Sequence, residues 1–306
     1  MSIERRIIGL YEISEIVLIK AITNLHPGVR RTGEIVDLPV QKDHLGFPII
    51  YASSLKGALK SALWQFSDDR DIVKALFGSE PDDVEKFTSA VAVLDAFTLA
   101  FPVRSLEGVY AFATSPVLLK RFNEYLGITG ETCEYVEKLS NISIGEGVCE
   151  TSENAKNLLS IKTLDDKLII NEEISVKCET NCFTEVEELE KLFGIEQGRL
   201  ILLNDDDALK AIEKSLVRVT RIKIDREKKT AREGALWTEE YIPWGTVFAT
   251  AFLYSKAKKS EKLQKANDVK QKLHELLSKM GNYLIIGGNE TIGRGIVKLE
   301  FKEKEV

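Results

Sequence analysis

The sequence predicts an α+β fold, an antiparallel sheet with helices on one face, on three observations. Residues 6–11 and 16–23 are apolar runs rich in β-branched side chains, which is the composition of strands. Residues 54–66 carry one unbroken helical face, with Leu55, Ala58, Leu59, Ala62, Leu63 and Phe66 at i, i+3, i+4, i+7, i+8 and i+11. Residues 215–224 and 230–240 are strand-patterned and joined by the charged turn 225–229, which makes a hairpin.

The remaining elements follow in order. A short apolar run at 47–51 precedes the helix, and Ser53 or Ser54 is placed to cap it. Residues 71–77 read as a short helix stopped by Gly78, and 89–102 as β-rich core. Arg104, Ser105 and Gly108 supply a turn before a strand at 109–114. A helix begins near Ser115-Pro116, with Leu118, Leu119, Phe122 and Leu126 on one face. Periodicity weakens over 128–207, where only 185–193 offers a helix, through Val186, Leu189, Leu192 and Phe193. That stretch reads as an inserted subdomain of a single domain formed by about 1–127 and 208–306, or as a long surface excursion. A strand at 246–254 and a lysine-rich helix at 263–280 lead to YLIIGGNETIGRGIVKLEF, two strands joined by a glycine-rich loop. Dinucleotide and P-loop sites need a helix after the glycines. Here Val297, Leu299 and Phe301 alternate with Lys298 and Glu300 as a strand, so both readings fail.

A chain of 306 residues that is 44% hydrophobic can bury a substantial core. It contains no apolar run long enough for a membrane span and no secretory signal at its start, so a cytoplasmic protein without membrane partners is expected. Of the cysteines Cys133, Cys149, Cys178 and Cys182, only the last two are close enough in sequence to share a metal. Their spacing is one wider than Cys-x-x-Cys and no His is near, so free thiols are the expectation. The net charge of −6 opposes nucleic-acid binding in sum but not locally. Residues 212–232 carry eight basic and three acidic side chains, whereas 179–207 is strongly acidic.

Residues 26–60 concentrate the candidate chemistry. His26-Pro27-Gly28 opens a basic loop with Arg30 and Arg31, and Asp37 lies ahead of Pro39, where a helix cannot continue. Lys56 and Lys60 stand one turn apart near a helix start, where backbone N–H groups favour an anion. Each piece has a bland explanation as turn chemistry or a solvated face. Together they describe a site for a phosphodiester backbone. Gly287, Gly288, Gly293, Arg294 and Gly295 form a second stretch where backbone N–H groups can approach RNA, or a tight structural turn.

The strings HPG, then G-x-x-V-D-L-P-x-Q from Gly33 to Gln41, then G-x-P-I-x-x-S-S-L-K-G-A-L from Gly46 to Leu59, resemble the RAMP superfamily of CRISPR proteins. More narrowly they resemble the repeated backbone subunit of the type III-B Cmr effector complex, as do DAFTLAFPVRSLEGVYAFATSP and RVTRIKIDREKKTAREGALWTEEYIP. The resemblance implies an RRM/ferredoxin-like palm with an inserted subdomain and a projecting β-hairpin thumb at about 215–240. It further implies a protein of antiviral defence that binds guide crRNA with other Cmr subunits. Such a subunit associates with itself head to tail as a helical filament and cuts complementary single-stranded target RNA. Arg218, Arg221 and Arg226 of the thumb would then meet RNA. An RRM sheet stacks bases on aromatics, and that signature is missing here. RNA is expected on loops, with base recognition left to pairing.

RNA brings its own nucleophile, the 2′-OH, so a protein need only align it, help its proton leave and neutralise charge. By resemblance Asp37 is the carboxylate required for cutting and the ligand of a divalent Mg²⁺ or Mn²⁺, with His26 and the pair Glu239 and Glu240 as helpers. The chain departs from the family pattern in an N-terminal extension of about one strand and in Ala52, where a glycine is common. Two other classes stay open at this stage, a guide-binding subunit without nuclease activity and a RAMP endoribonuclease that processes guide precursors.

Overall fold

A computed structural model describes residues 8–29, 36–225 and 227–302. Its central strand is β1 (Ile13–Ala21), ISEIVLIKA, buried along almost its whole length. The expected earlier strand does not form over its described part. Ile8 and Tyr11 instead exchange backbone hydrogen bonds of 3.1 and 3.0 Å across a turn. Residues 6 and 7 lie outside the described residues.

After β2 (Ile49–Ile50), α1 (Ala52–Phe66) buries Leu55, Leu59 and Leu63. Neither Ser53 nor Ser54 caps it. Tyr51 holds the N-cap position without a side-chain bond, and Asp95 Oδ1 accepts the Ala52 N–H at 2.7 Å. α2 (Arg70–Phe77) is capped by Asp69, which accepts from the Ile72 N–H, and ends at Gly78. β3 (Val91–Val93), β4 (Ala96–Arg104) and β5 (Tyr110–Thr114) follow. α3 (Pro116–Thr129) buries Leu118, Leu119, Phe122 and Leu126, as their spacing predicts.

The middle of the chain is richer than its pattern suggests. It forms α4 (Glu134–Ser140), β6 (Val148–Thr151), α5 (Glu153–Leu159), β7 (Lys167–Ile170), β8 (Ile174–Glu179), α6 (Phe183–Phe193) and β9 (Leu200–Leu203). These strands extend the main sheet, β9 joining β5 in parallel and β6, β8 and β7 continuing outward. Cys178 is seated beside Cys149 on the neighbouring strand, sulfur to sulfur 3.8 Å, and not beside Cys182; all four cysteines are free thiols. After α7 (Asp205–Ser215) come β10 (Val217–Ile224) and β11 (Ala231–Tyr241), a separate two-stranded sheet. β12 (Val247–Tyr254), α8 (Ala266–Lys279), β13 (Tyr283–Ile285) and β14 (Ile296–Phe301) close the fold.

The main sheet runs β13-β14-β1-β12-β4-β5-β9-β6-β8-β7. Within it β14, β1, β12 and β4 are antiparallel neighbours, so β12 is inserted between the parallel pair β1 and β4, a split βαβ arrangement. Helices cover both faces, not one. Val17 and Ile19 join a core with the apolar sides of α1, α2 and α8, while Ile16 and Leu18 join another with α3, α4 and α6. The cause is visible in β1 itself, whose IVLI run is apolar at odd and even positions alike.

Candidate nucleic-acid interface and active site

β10 and β11 meet at their base in the register Val217↔Tyr241, Arg218↔Glu240 and Val219↔Glu239. Residues 37–40 run along the free edge of β11. Leu38 N–H donates to Thr238 O at 3.0 Å and Glu240 N–H to Leu38 O at 3.0 Å, a parallel bridge. Pro39 holds Leu38 in the extended backbone that such a bridge needs. Asp37, half-buried, is bound to the same strand three times. Its Oδ2 accepts from the Thr238 N–H at 2.9 Å and from the Thr238 hydroxyl at 3.1 Å, and its own N–H donates to Thr238 Oγ1 at 2.9 Å.

Glu239 and Glu240 are successive strand residues, so their side chains leave β11 on opposite faces. Glu240, 2% exposed, faces Arg218 at 3.2 Å and accepts from the Val40 N–H at 3.3 Å. Glu239, 4% exposed, accepts from Trp237 Nε1 at 2.7 Å, Asn289 Nδ2 at 3.1 Å and the Tyr241 hydroxyl, with Arg221 at 3.5 Å. Burial pushes the Glu239 carboxyl up. The bonds from Trp237 and Tyr241 and the charges of Arg221 and His26 outweigh it, so the net shift is below the usual carboxylate value. Burial and the Glu239 charge push the Tyr241 phenol up, which keeps it a donor.

His26 is buried against this junction, its ring 5.4 Å from that of Tyr241. Its Nδ1 lies 2.7 Å from the Glu240 carbonyl oxygen, which can only accept, so Nδ1 carries a proton and any lone pair of the ring is at Nε2. A Cβ at residue 28 would lie 2.7 Å from that Nε2, so glycine is what lets the backbone pass this close to the ring. The glycine-rich loop closes the junction from the other side. Gly288 N–H donates to His26 O at 2.9 Å, and Gly287, at φ +87°, approaches so closely that a Cβ would lie 2.3 Å from His26 O. Gly295 N–H reaches Asn24 O at 3.0 Å and Gly293 ends a 3₁₀ turn. Arg294 lies 5.0 Å over the Tyr241 ring with its Nε buried and without a hydrogen-bond partner.

The four residues expected to carry chemistry, His26, Asp37, Glu239 and Glu240, therefore meet around β11. Thr238, Tyr241 and Asn289 belong to the same junction and were missed. The alternation of Trp237, Glu239 and Tyr241 on one strand face was the available signal for the tyrosine. The basic residues divide differently. Arg218 and Arg221 are the counter-ions of the acid pair rather than free cations. Lys60 donates to Gly78 O at 3.1 Å and pairs with Glu80 at 2.8 Å, while Asp95 already takes an N–H at the α1 start, so the anion site expected there is partly filled by the protein itself. Lys56 is half-buried, and burial first, then Lys60, lowers its amine. An open groove of about 890 Å³ runs between α1 and the glycine-rich loop, lined by Ser54, Gly57, Ser61, Tyr283, Gly287 and Glu290. Arg30, Arg31 and Arg226 lie outside the described residues, and among those described no helix is long and apolar enough to cross a membrane.

Residues 18–298 match the RAMP superfamily, and the chain belongs to it. It is 34% identical over 307 residues, 97% of this chain and 95% of the relative, to the CRISPR system Cmr endoribonuclease Cmr4 of Pyrococcus furiosus. Its fold is similar to a chain of the type III-B Cmr-beta complex bound to cognate target RNA, with TM-score 0.77, 32% identity, and coverage of 95% of this chain and 98% of that one. It is also similar to oligomeric Cmr4 from Pyrococcus furiosus, with TM-score 0.66, 31% identity, and coverage of 95% and 98%.

Proposed function

We propose that this chain is the repeated backbone subunit of a type III-B Cmr complex, which lines up along crRNA and cuts complementary target RNA at regular intervals. The observation that carries the reading is the junction at β11. A carboxylate, a histidine and a close-approach glycine loop converge there, in a chain 34% identical to a protein named as a Cmr endoribonuclease. The split βαβ sheet then serves as a ferredoxin-like palm, β10 and β11 as the thumb, and the segment at about 128–207 as an inserted subdomain. The similarity to an oligomeric relative supports self-association head to tail. Basic thumb and acidic middle segment supply opposite charges for that contact. The setting is cytoplasmic, with the other Cmr subunits as partners.

In the mechanism, Arg294, Lys56, Gly287 and Gly288 face the RNA backbone and hold a target phosphate, with Arg30, Arg31 and Arg226 as further contacts. Asp37 stands at the phosphate to be broken, and His26 Nε2 takes part in moving the 2′-OH proton. Arg218 and Arg221 hold Glu240 and Glu239 in place, so the acid pair acts on the shape of the junction rather than on RNA. Among the described residues no group of three or more His, Cys, Asp and Glu side chains could hold a metal. A preformed protein cage does not fit, so a divalent cation would have to be held by one protein carboxylate together with the bound RNA. Asp37 would be that ligand, and Mg²⁺ or Mn²⁺ would supply charge neutralisation at the phosphate.

The test is incubation of a reconstituted complex containing this chain with labelled complementary RNA, with and without Mg²⁺. Cutting at evenly spaced positions that stops on chelation is expected. Binding without cutting would favour a guide-binding subunit, and cutting of unpaired guide precursor would favour a processing enzyme.

A further inference from the structure

Asp37 sits on a loop, yet productive chemistry requires a carboxylate held to within about half an ångström, and loops rarely provide that unaided. Resting on the reading of Asp37 as the catalytic carboxylate, we infer that Thr238 is its positioning residue, the group that transfers the rigidity of the thumb base to the loop. Thr238 Oγ1 accepts the Asp37 N–H at 2.9 Å, so its single proton is directed at Asp37 Oδ2, 3.1 Å away. The Thr238 N–H adds a second bond to the same oxygen at 2.9 Å. One carboxylate oxygen is thereby fixed in two directions by one residue 201 positions away in sequence.

Thr238 is itself fixed. Its neighbour Glu239 is anchored by Trp237, Tyr241 and Asn289, and Glu240 by Arg218 and the Val40 N–H. The Thr238 carbonyl accepts the Leu38 N–H, and the Glu240 N–H donates to Leu38 O, so the 37–40 loop is tied to the strand at Thr238 itself and again two residues on. The arrangement couples two events that RNA cutting must join. A displacement of β11 by RNA would move Thr238 and with it the Asp37 carboxylate.

The test uses the assembled complex with Thr238→Val, Thr238→Ser and Asp37→Ala. Valine keeps the β-branched shape and the backbone bonds and removes only the hydroxyl, whereas serine keeps the hydroxyl. Expected for Thr238→Val is a single-turnover cutting rate about ten- to a hundredfold lower, with crRNA and target binding unchanged. Thr238→Ser should restore most of the rate. Wild-type cutting by Thr238→Val beside an inactive Asp37→Ala overturns the inference and leaves the proposed function standing. Equal loss of binding and cutting, or a serine variant as slow as valine, also overturns it, because the hydroxyl would then not be aiming the carboxylate. Wild-type cutting by Asp37→Ala removes the underlying reading instead.

Discussion

Asp37→Ala is expected to reduce target cutting by about 10²–10⁴-fold while crRNA binding, assembly and target binding remain at wild-type levels. The two halves of that expectation have different physical origins. The side chain accepts two hydrogen bonds from Thr238, and losing them in a half-buried loop costs about 1 kcal/mol of stability. The backbone bridge through Leu38 and Glu240 does not involve the carboxylate, so the loop stays on β11. A thousandfold rate loss corresponds to about 4 kcal/mol of transition-state stabilisation, several times the folding cost. Single-turnover rates beside a thermal melt and a filter-binding isotherm separate the two. A melting shift as large as the activity loss would assign Asp37 a structural role.

Gly287→Ala should have the largest effect on folding of any single methyl added to the junction. At φ +87° an L side chain is already strained, and the added Cβ would lie 2.3 Å from His26 O, 2.6 Å from His26 C and 2.9 Å from Pro27 N. All three are backbone atoms, so no rotamer change relieves the clash. Either His26 moves off the Glu240 carbonyl or the glycine loop opens. We expect a loss of about 3–5 kcal/mol, read as a melting temperature lower by on the order of 10 °C. Gly293→Ala is the matched control. Its φ of +75° is similar, but a Cβ there would meet nothing within 4 Å, so about 1 kcal/mol is expected. Equal losses at the two positions would show that conformational strain, not the approach to His26, dominates.

Local signals in the sequence were sufficient where a single segment decides the outcome. The leucine stripe of α1, Pro116 at the start of α3 and the two runs of the β10–β11 hairpin are each legible from their own residues. His26, Asp37, the acid pair and the glycine loop were legible as motifs, but not what each touches. Asp95 reaches the α1 start from 43 residues away, and Asp37 reaches Thr238 across 201, so no window contains either pair. The Arg218–Glu240 pairing was not legible either. A hairpin centred on the turn at 225–229 would set Arg218 opposite Leu236, and the register shift between Ile222 and Ile224 carries it to Glu240, where the two form a cross-strand ion pair. β6, β7 and β9 are only four residues long, too short for alternation to stand out from the surrounding polar sequence.

In the proposed reaction the target's own 2′-OH is the nucleophile, aligned at the β11 junction and assisted by Asp37. The most direct measurement is cutting of a complementary RNA carrying one 2′-deoxyribonucleotide on the 5′ side of a single scissile phosphate. The expected result is loss of cutting at that phosphate alone, with unmodified sites still cut and their 5′ fragments ending in a cyclic phosphate. Unchanged cutting at the deoxy position, with water as the only nucleophile left, would contradict it.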